Sequence, residues 1–195
     1  IAASWFWARI KKRSPSLGYP DGGFESFAKS VARQIIKWGG KIYYQTRIEK
    51  IEKGKGGFKL RVRKLNKNLL QTKSFDKVIC TLPFPIFLKI APKLPSSYKK
   101  KLSNITGIGA INLILRLKKP FLTDGTYWLN INGAGFPFLA IVEHTNFMKK
   151  SYYAGEHVVY VGKYLPPTHK YFPMADEELF ATYEPYLKKI NPFFK

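Results

Sequence analysis

The side chains best suited to chemistry lie in the second half of the chain. Glu143, His144, Thr145 and Asn146 close an apolar run from Phe138 to Val142. A carboxylate, an imidazole and a carboxamide at one strand end could bind a substrate or move a proton. Upstream, Tyr127-Trp128-Leu129-Asn130 adds two aromatic rings and a second carboxamide that could line a pocket. Tyr127, Trp128, Asn130, Glu143, His144 and Asn146 are therefore the candidate substrate-side residues. Each also has a plainer reading. A strand-end Glu-His pair can simply bond to a neighbouring loop, and aromatics in a strand more often fill a core.

Other chemistries find less support. His144, His157 and His169 show no metal-ligand spacing and have no cysteine partners, so no metal site is expected. Cys80 is the single cysteine. It cannot form an internal disulfide, which fits a reducing, cytoplasmic setting, and its place inside an apolar run argues against a nucleophile. "GIGAIN" at 107–112 lacks the last glycine of a dinucleotide loop and precedes a strand pattern. "GKGG" at 54–57 sits between strand patterns. Both read as turns. No catalytic residue can be named from the side chains.

What must position the candidates is a sequence of short elements. Apolar residues at 24, 27, 28, 31, 32, 35 and 36 have the spacing of an amphipathic helix over 24–38. Asp21 is a plausible cap, and Gly39-Gly40 supplies the stop. A strand is expected at 42–46. Alternation of Phe58, Leu60 and Val62 with Lys59, Arg61 and Arg63 places an inserted antiparallel meander over 48–73. Val78-Ile79-Cys80 then predicts a strand over 75–81 that is covered on both faces and ends before Pro83. Short helices are expected over 86–102. Four strand patterns follow at 111–117, 127–131, 138–143 and 158–164, and then a helix over 177–190. The reading is an α/β layer followed by an α+β domain with a mainly antiparallel sheet, the boundary falling near residue 90.

Composition sets the outer limits. Hydrophobic residues make up 45% and aromatics 16% of 195 residues, enough for a packed core and too much for a disordered chain. The opening on Ile1 and the ending "NPFFK" lead us to expect a piece of a longer polypeptide. The net charge of +22 favours anionic partners. The lysines are nevertheless spread along the chain, clustering only at 9–13 and 99–101, with no nucleic-acid motif beside them. A solvated basic surface is the plainer reading, and no specific nucleic-acid partner is expected. The longest uncharged run, Gly125 to Val142, contains two Asn, three Gly and a Pro, which argues against a transmembrane span.

The helical stretch and its flanks carry a more specific likeness. "LGYPDGGFESFAKSVARQIIKWGGKIYYQTRIEKIE", followed by "DKVICTLP", resembles the central segment of the flavin-dependent amine oxidoreductases, the superfamily of monoamine oxidases, protoporphyrinogen oxidase and phytoene desaturases. A Gly-Gly turn at 19–24, Gly39-Gly40, the strand from Ile48 to Ile51, and the segment Asp76 to Pro83 occur in that family's order. "YWLNI", "EHTNF" and "GKYLP" are similar to a bacterial protoporphyrinogen-oxidase-like subgroup. The resemblance implies FAD as the cofactor. It implies a Rossmann-like FAD-binding portion over 1–90 and a substrate-binding portion over 91–195. It further implies cofactor contacts, largely through backbone, at Arg47, Ile48, Cys80, Thr81, Leu82 and Pro83, and a small organic substrate. The family's Gly-rich dinucleotide motif does not occur in these residues, so FAD turnover by this chain alone is not expected.

Two other readings compete. A flavin isomerase resembling the UDP-galactopyranose mutases would use the same scaffold. It would be favoured by an arginine pair in the substrate portion, where Arg116 is the only arginine. A basic, non-enzymatic polyanion-binding module would instead show salt-sensitive binding to DNA. A cytoplasmic protein, at most peripheral to the inner membrane, fits all three. Strands at 42–46 and 75–81 without neighbours would expose apolar edges, so self-association is expected.

Overall fold

The computed structural model describes residues 2–12, 16 and 18–195. The chain divides into two compact units, Ile1–Val78 and Ile79–Lys195.

The first unit holds two helices and a meander. Helix α1 (Ala3–Lys11) was not anticipated by the spacing argument, and none of its residues is buried. Helix α2 (Gly23–Lys37) matches the expected helix. Its start differs in detail: Gly22, at φ 75°, is the cap residue and no side chain caps the helix, so Asp21 does not play that part. Its end is as expected. Gly39, at φ 81°, and Gly40 return their N–H groups to the carbonyls of Ile36 and Ile35, each at 2.9 Å. This is the paired bonding that terminates a helix through a left-handed residue. A Cβ on Gly40 would lie 2.6 Å from Ile35 Cγ2, so both glycines are required.

Strands β1 (Thr46–Gly54), β2 (Gly57–Lys64) and β3 (Leu69–Phe75) form an antiparallel sheet in chain order. Leu60 and Val62 point to its buried side and Lys59 and Arg61 to water, following the period-two alternation. On the solvated side, Glu49 bridges to Arg63, and Arg63 Nη1 donates to Asn68 Oδ1 at 2.8 Å.

Two expected strands are absent. Residues 42–45 and 76–81 have no strand pairing, and only the ends of β1 and β3 fall within the predicted spans. The apolar run is not covered on either face: Ile79 is 92% exposed and Cys80 is exposed. The physical reason is pairing. A strand exists by hydrogen bonding to a neighbour, and among the described residues no neighbour is aligned with these segments.

The second unit begins with helices α3 (Phe84–Ile90) and α4 (Ser96–Ser103), which bury Ile90, Ala91 and Leu102. A four-stranded antiparallel sheet follows, built from β4 (Gly109–Leu117), β5 (Trp128–Asn130), β6 (Ala140–Glu143) and β7 (His157–Leu165). The spatial order is β4-β7-β6-β5. Helix α5 (Asp176–Ile190) has three acidic residues in its first turn and Lys188 and Lys189 in its last, each favourable for the helix dipole. Leu179, Tyr183 and Leu187, spaced by four, bury one stripe of α5. They join Ile111, Leu115, Ile141, Val159 and Val161 in the core of the unit. One sheet face is thereby buried and the other left open.

Candidate functional site

Strand register defines the open face. Trp128 pairs with Val142, Val142 with Tyr160, and Tyr160 with Ile114, so these four side chains form one row across all four strands. The next row on that face runs Asn130, Ala140, Gly162 and Asn112. Alternation sends Leu129, Ile141, Val161 and Leu113 to the core side. The first row is a largely apolar ridge, with Trp128 and Ile114 more than half exposed. The second is a shallow trough with a carboxamide at each end. A Cβ at Gly162 would meet Asn112 Oδ1 at 3.4 Å, so glycine leaves room for that carboxamide to lie close to the strand. Trp128 Nε1 donates to Asn130 Oδ1 at 2.8 Å, leaving the Asn130 N–H groups for other partners.

The six sequence-derived candidates separate into two groups. Trp128 and Asn130 stand on the open face. Glu143, His144 and Asn146 turn inward, and their partners are local. Glu143, with no exposed surface, accepts from the backbone N–H of Phe121 at 3.2 Å and from that of Leu122. Its Oε1 lies 3.3 Å from His157 Nδ1. Asn146 Nδ2 donates to the carbonyls of Leu122 and Thr126, at 3.0 and 2.9 Å. Carboxylate and carboxamide together fasten the 121–126 loop to the end of β6. His144 Nε2 is 2.6 Å from the Tyr153 hydroxyl, and burial holds its pKa below the usual imidazole value. Tyr127 lies between the groups, with its ring 4.9 Å from that of Phe147 and its carbonyl accepting from the Glu143 N–H.

The open face gains residues that spacing arguments did not pick out: Asn112, Ile114, Tyr160 and Gly162. Their signal was hidden because β4 pairs with β7, a partner that is remote in sequence.

The residues proposed for a cofactor fall in different units, Arg47 and Ile48 in the first and Cys80–Pro83 in the second. Ile48, Leu60, Val62 and Phe75 line a cleft of about 300 Å³ on the meander, with Tyr43 and Lys73 at its rim. Lys73 Nζ lies 3.9 Å from the Tyr43 ring centroid, and hydrogen bonding and charge from Lys73 hold the phenol pKa below its usual value. From Lys77 to Leu82, among the described residues, the peptide groups make no hydrogen bond. Pro83 has no N–H and its carbonyl accepts from Ile86 and Phe87, each at 3.0 Å, and Arg47 and Ile48 pair within β1, so among the cofactor candidates the uncommitted backbone is that of Cys80, Thr81 and Leu82. No group of three or more metal-ligating side chains occurs among the described residues.

The comparisons with known proteins agree with this architecture. The model of the flavin-containing amine oxidoreductases matches residues 3–194, and the chain belongs to that family. An oxidoreductase from Methanosarcina mazei superposes with a TM-score of 0.70 at 18% identity, over 89% of this chain and 40% of the other. A candidate protoporphyrinogen oxidase from Exiguobacterium sp. 255-15 gives 0.65 at 17% identity, over 86% and 35%. Reduced UDP-galactopyranose mutase gives 0.63 at 14% identity, over 96% and 42%. The chain thus spans about two fifths of the length of these structures. At such identities they speak to the fold: mixed α/β with two antiparallel sheets, in keeping with a flavin oxidoreductase. No curated protein matches the chain.

Proposed function

We propose that this chain is the central part of an FAD-dependent oxidoreductase that removes hydride equivalents from a small organic substrate. The observation that carries the reading is the family match, which runs through both units from residue 3 to 194. On this reading α2, with the unpaired segments 42–45 and 76–82, belongs to a Rossmann-like FAD-binding layer within 1–90. The sheet within 91–195 belongs to the substrate-binding domain. Arg47, Ile48 and Cys80–Leu82 would hold the flavin mainly through backbone N–H and C=O groups, and Pro83 would meet it through its ring, since its carbonyl is taken by Ile86 and Phe87. The bound flavin would supply the hydride chemistry, and the protein's part is orientation and exclusion of water.

The substrate would meet the open sheet face at Trp128 and Asn130. The aromatic ridge would supply apolar contact, and the carboxamides would fix orientation. Glu143 and Asn146 would act from behind by keeping the 121–126 loop and the end of β6 in place, and His144 would steady Tyr153 and Tyr160. Tyr127 would couple the two groups.

A second reading, a flavin isomerase acting without net oxidation, draws on the 96% of this chain that aligns with UDP-galactopyranose mutase. A single arginine in the substrate portion, Arg116, weakens it, because a sugar diphosphate is usually gripped by several cations.

The test is made on the full-length polypeptide that contains this chain. Purified protein that shows flavin absorption bands and releases FAD on denaturation supports the reading. Consumption of an electron acceptor with an amine or a porphyrinogen then separates oxidoreductase from isomerase. A colourless, folded protein that binds no added FAD would overturn both.

A further inference from the structure

Helix α1 has an unusual set of side chains for a surface element. Trp5, Phe6, Trp7 and Ile10 are 52%, 58%, 63% and 58% exposed. Two of the four tryptophans in the chain lie within these nine residues. At about 100° per residue, Phe6, Trp7 and Ile10 fall on one side of the helix, while Arg9 and Lys12 fall on the other with Lys11 at the border. The Arg9 guanidinium carbon lies 5.5 Å from the Trp5 ring centroid, and Lys11 Nζ lies 5.8 Å from that of Trp7. Residues 1–20 contain four basic side chains and no acidic one.

Water is a poor environment for that apolar side, so some surface is expected to cover it. A purely apolar protein partner would leave the cations without a role, and a purely acidic one would leave the indoles without one. A bilayer interface satisfies both. Indole rings sit at the headgroup level, phenylalanine and isoleucine reach the acyl boundary, and cations meet lipid phosphates. Trp5, beneath the Arg9 guanidinium, falls on the basic side. We propose that α1 docks on an anionic lipid bilayer surface, with Phe6, Trp7 and Ile10 entering the interface and Arg9, Lys11 and Lys12 on headgroup phosphates. The inference does not depend on the flavin reading, because it uses different residues and a different chemistry. It is also a surface attachment only: no described helix is long and apolar enough to cross a membrane.

The test uses the 195-residue chain and vesicles of phosphatidylcholine with and without phosphatidylglycerol. Each basic residue near an anionic surface strengthens binding about fivefold, so Arg9→Gln with Lys11→Gln and Lys12→Gln should weaken it about 100-fold. A control with Lys99→Gln, Lys100→Gln and Lys101→Gln removes the same charge from α4 and should leave binding close to the parent value. Trp7→Ala should weaken it about tenfold, and Trp5→Ala should weaken it less. In a Trp5→Phe, Trp38→Phe, Trp128→Phe background, the Trp7 emission should shift to the blue on mixed vesicles. Equal losses from the α1 and α4 charge variants would overturn the proposal and assign the attraction to diffuse charge. An unshifted emission would overturn it too. So would failure of the full-length polypeptide to bind the same vesicles, which would show that other protein covers α1.

Discussion

Glu143 shows how a residue picked out for chemistry can be occupied by architecture. Its carboxylate is buried and shared between two peptide N–H groups of the 121–126 loop. Replacing it by Gln turns one acceptor oxygen into a donor facing a donor, so Glu143→Gln should destabilise the second unit by about 2 kcal/mol. Urea unfolding followed by fluorescence measures this, and an unchanged midpoint would show that the loop does not depend on the carboxylate. His144 gives a prediction in pH. Its folded-state pKa is depressed by burial, so the unfolded chain takes up a proton first as the pH falls. Its contribution to stability is full above the unfolded value of about 6.5, and is lost as the pH falls through the folded pKa. The slope from this one proton cannot exceed about 1.4 kcal/mol per pH unit. His144→Asn should remove it from the pH profile of the urea midpoint.

At the scale of elements, legibility followed the range of the interactions. Helix α2 was read to within a residue because its stripe and its Gly-Gly stop are local signals. The meander was legible for the same reason: each strand pairs with the next. The segments 42–46 and 75–81 were misread because their composition describes a strand, but composition does not supply a neighbour. Helix α1 escaped because Trp5, Phe6 and Trp7 are consecutive and do not recur at the three- and four-residue spacing that marks a helix. On the open sheet face, Trp128 and Asn130 were visible as a motif, but Tyr160, Ile114 and Asn112 became their neighbours only through the register of β7. Helix α5 carries one more local irregularity. Pro185 lies inside it on the exposed side and removes a backbone donor without filling the core. Pro185→Ala should therefore raise the stability of the second unit by about 1–3 kcal/mol, read as a higher thermal midpoint. A lowered midpoint would mean that the proline-induced bend is needed to seat Leu179 and Leu187.

For the whole molecule, apolar surface and net charge oppose each other. Phe24, Phe27, Val31, Ile35 and Trp38 along α2 are exposed, as is Ile79. With +22 charges, chains at low salt repel one another before these surfaces meet. Screening shortens that repulsion to roughly 8 Å at physiological ionic strength. Self-association of the chain should therefore grow with added salt, whereas its attachment to anionic vesicles should weaken. Sedimentation velocity across a salt series separates the two. Phe27→Lys with Val31→Lys should lower the associated fraction without disturbing the meander.

The β4-β7-β6-β5 order also sets a timetable. The first unit's three strands meet as each emerges from the ribosome, because every partner is the next strand in line. Strand β4 is synthesised early and then waits: the residue that pairs with Leu117 is His157, and the partner of Gly109 is Leu165. Until β7 appears, an apolar strand with Ile111, Leu113 and Leu115 has no native partner. The second unit must therefore complete its sheet at the end of its own synthesis, and the interval in between is when a nascent chain has most need of a chaperone.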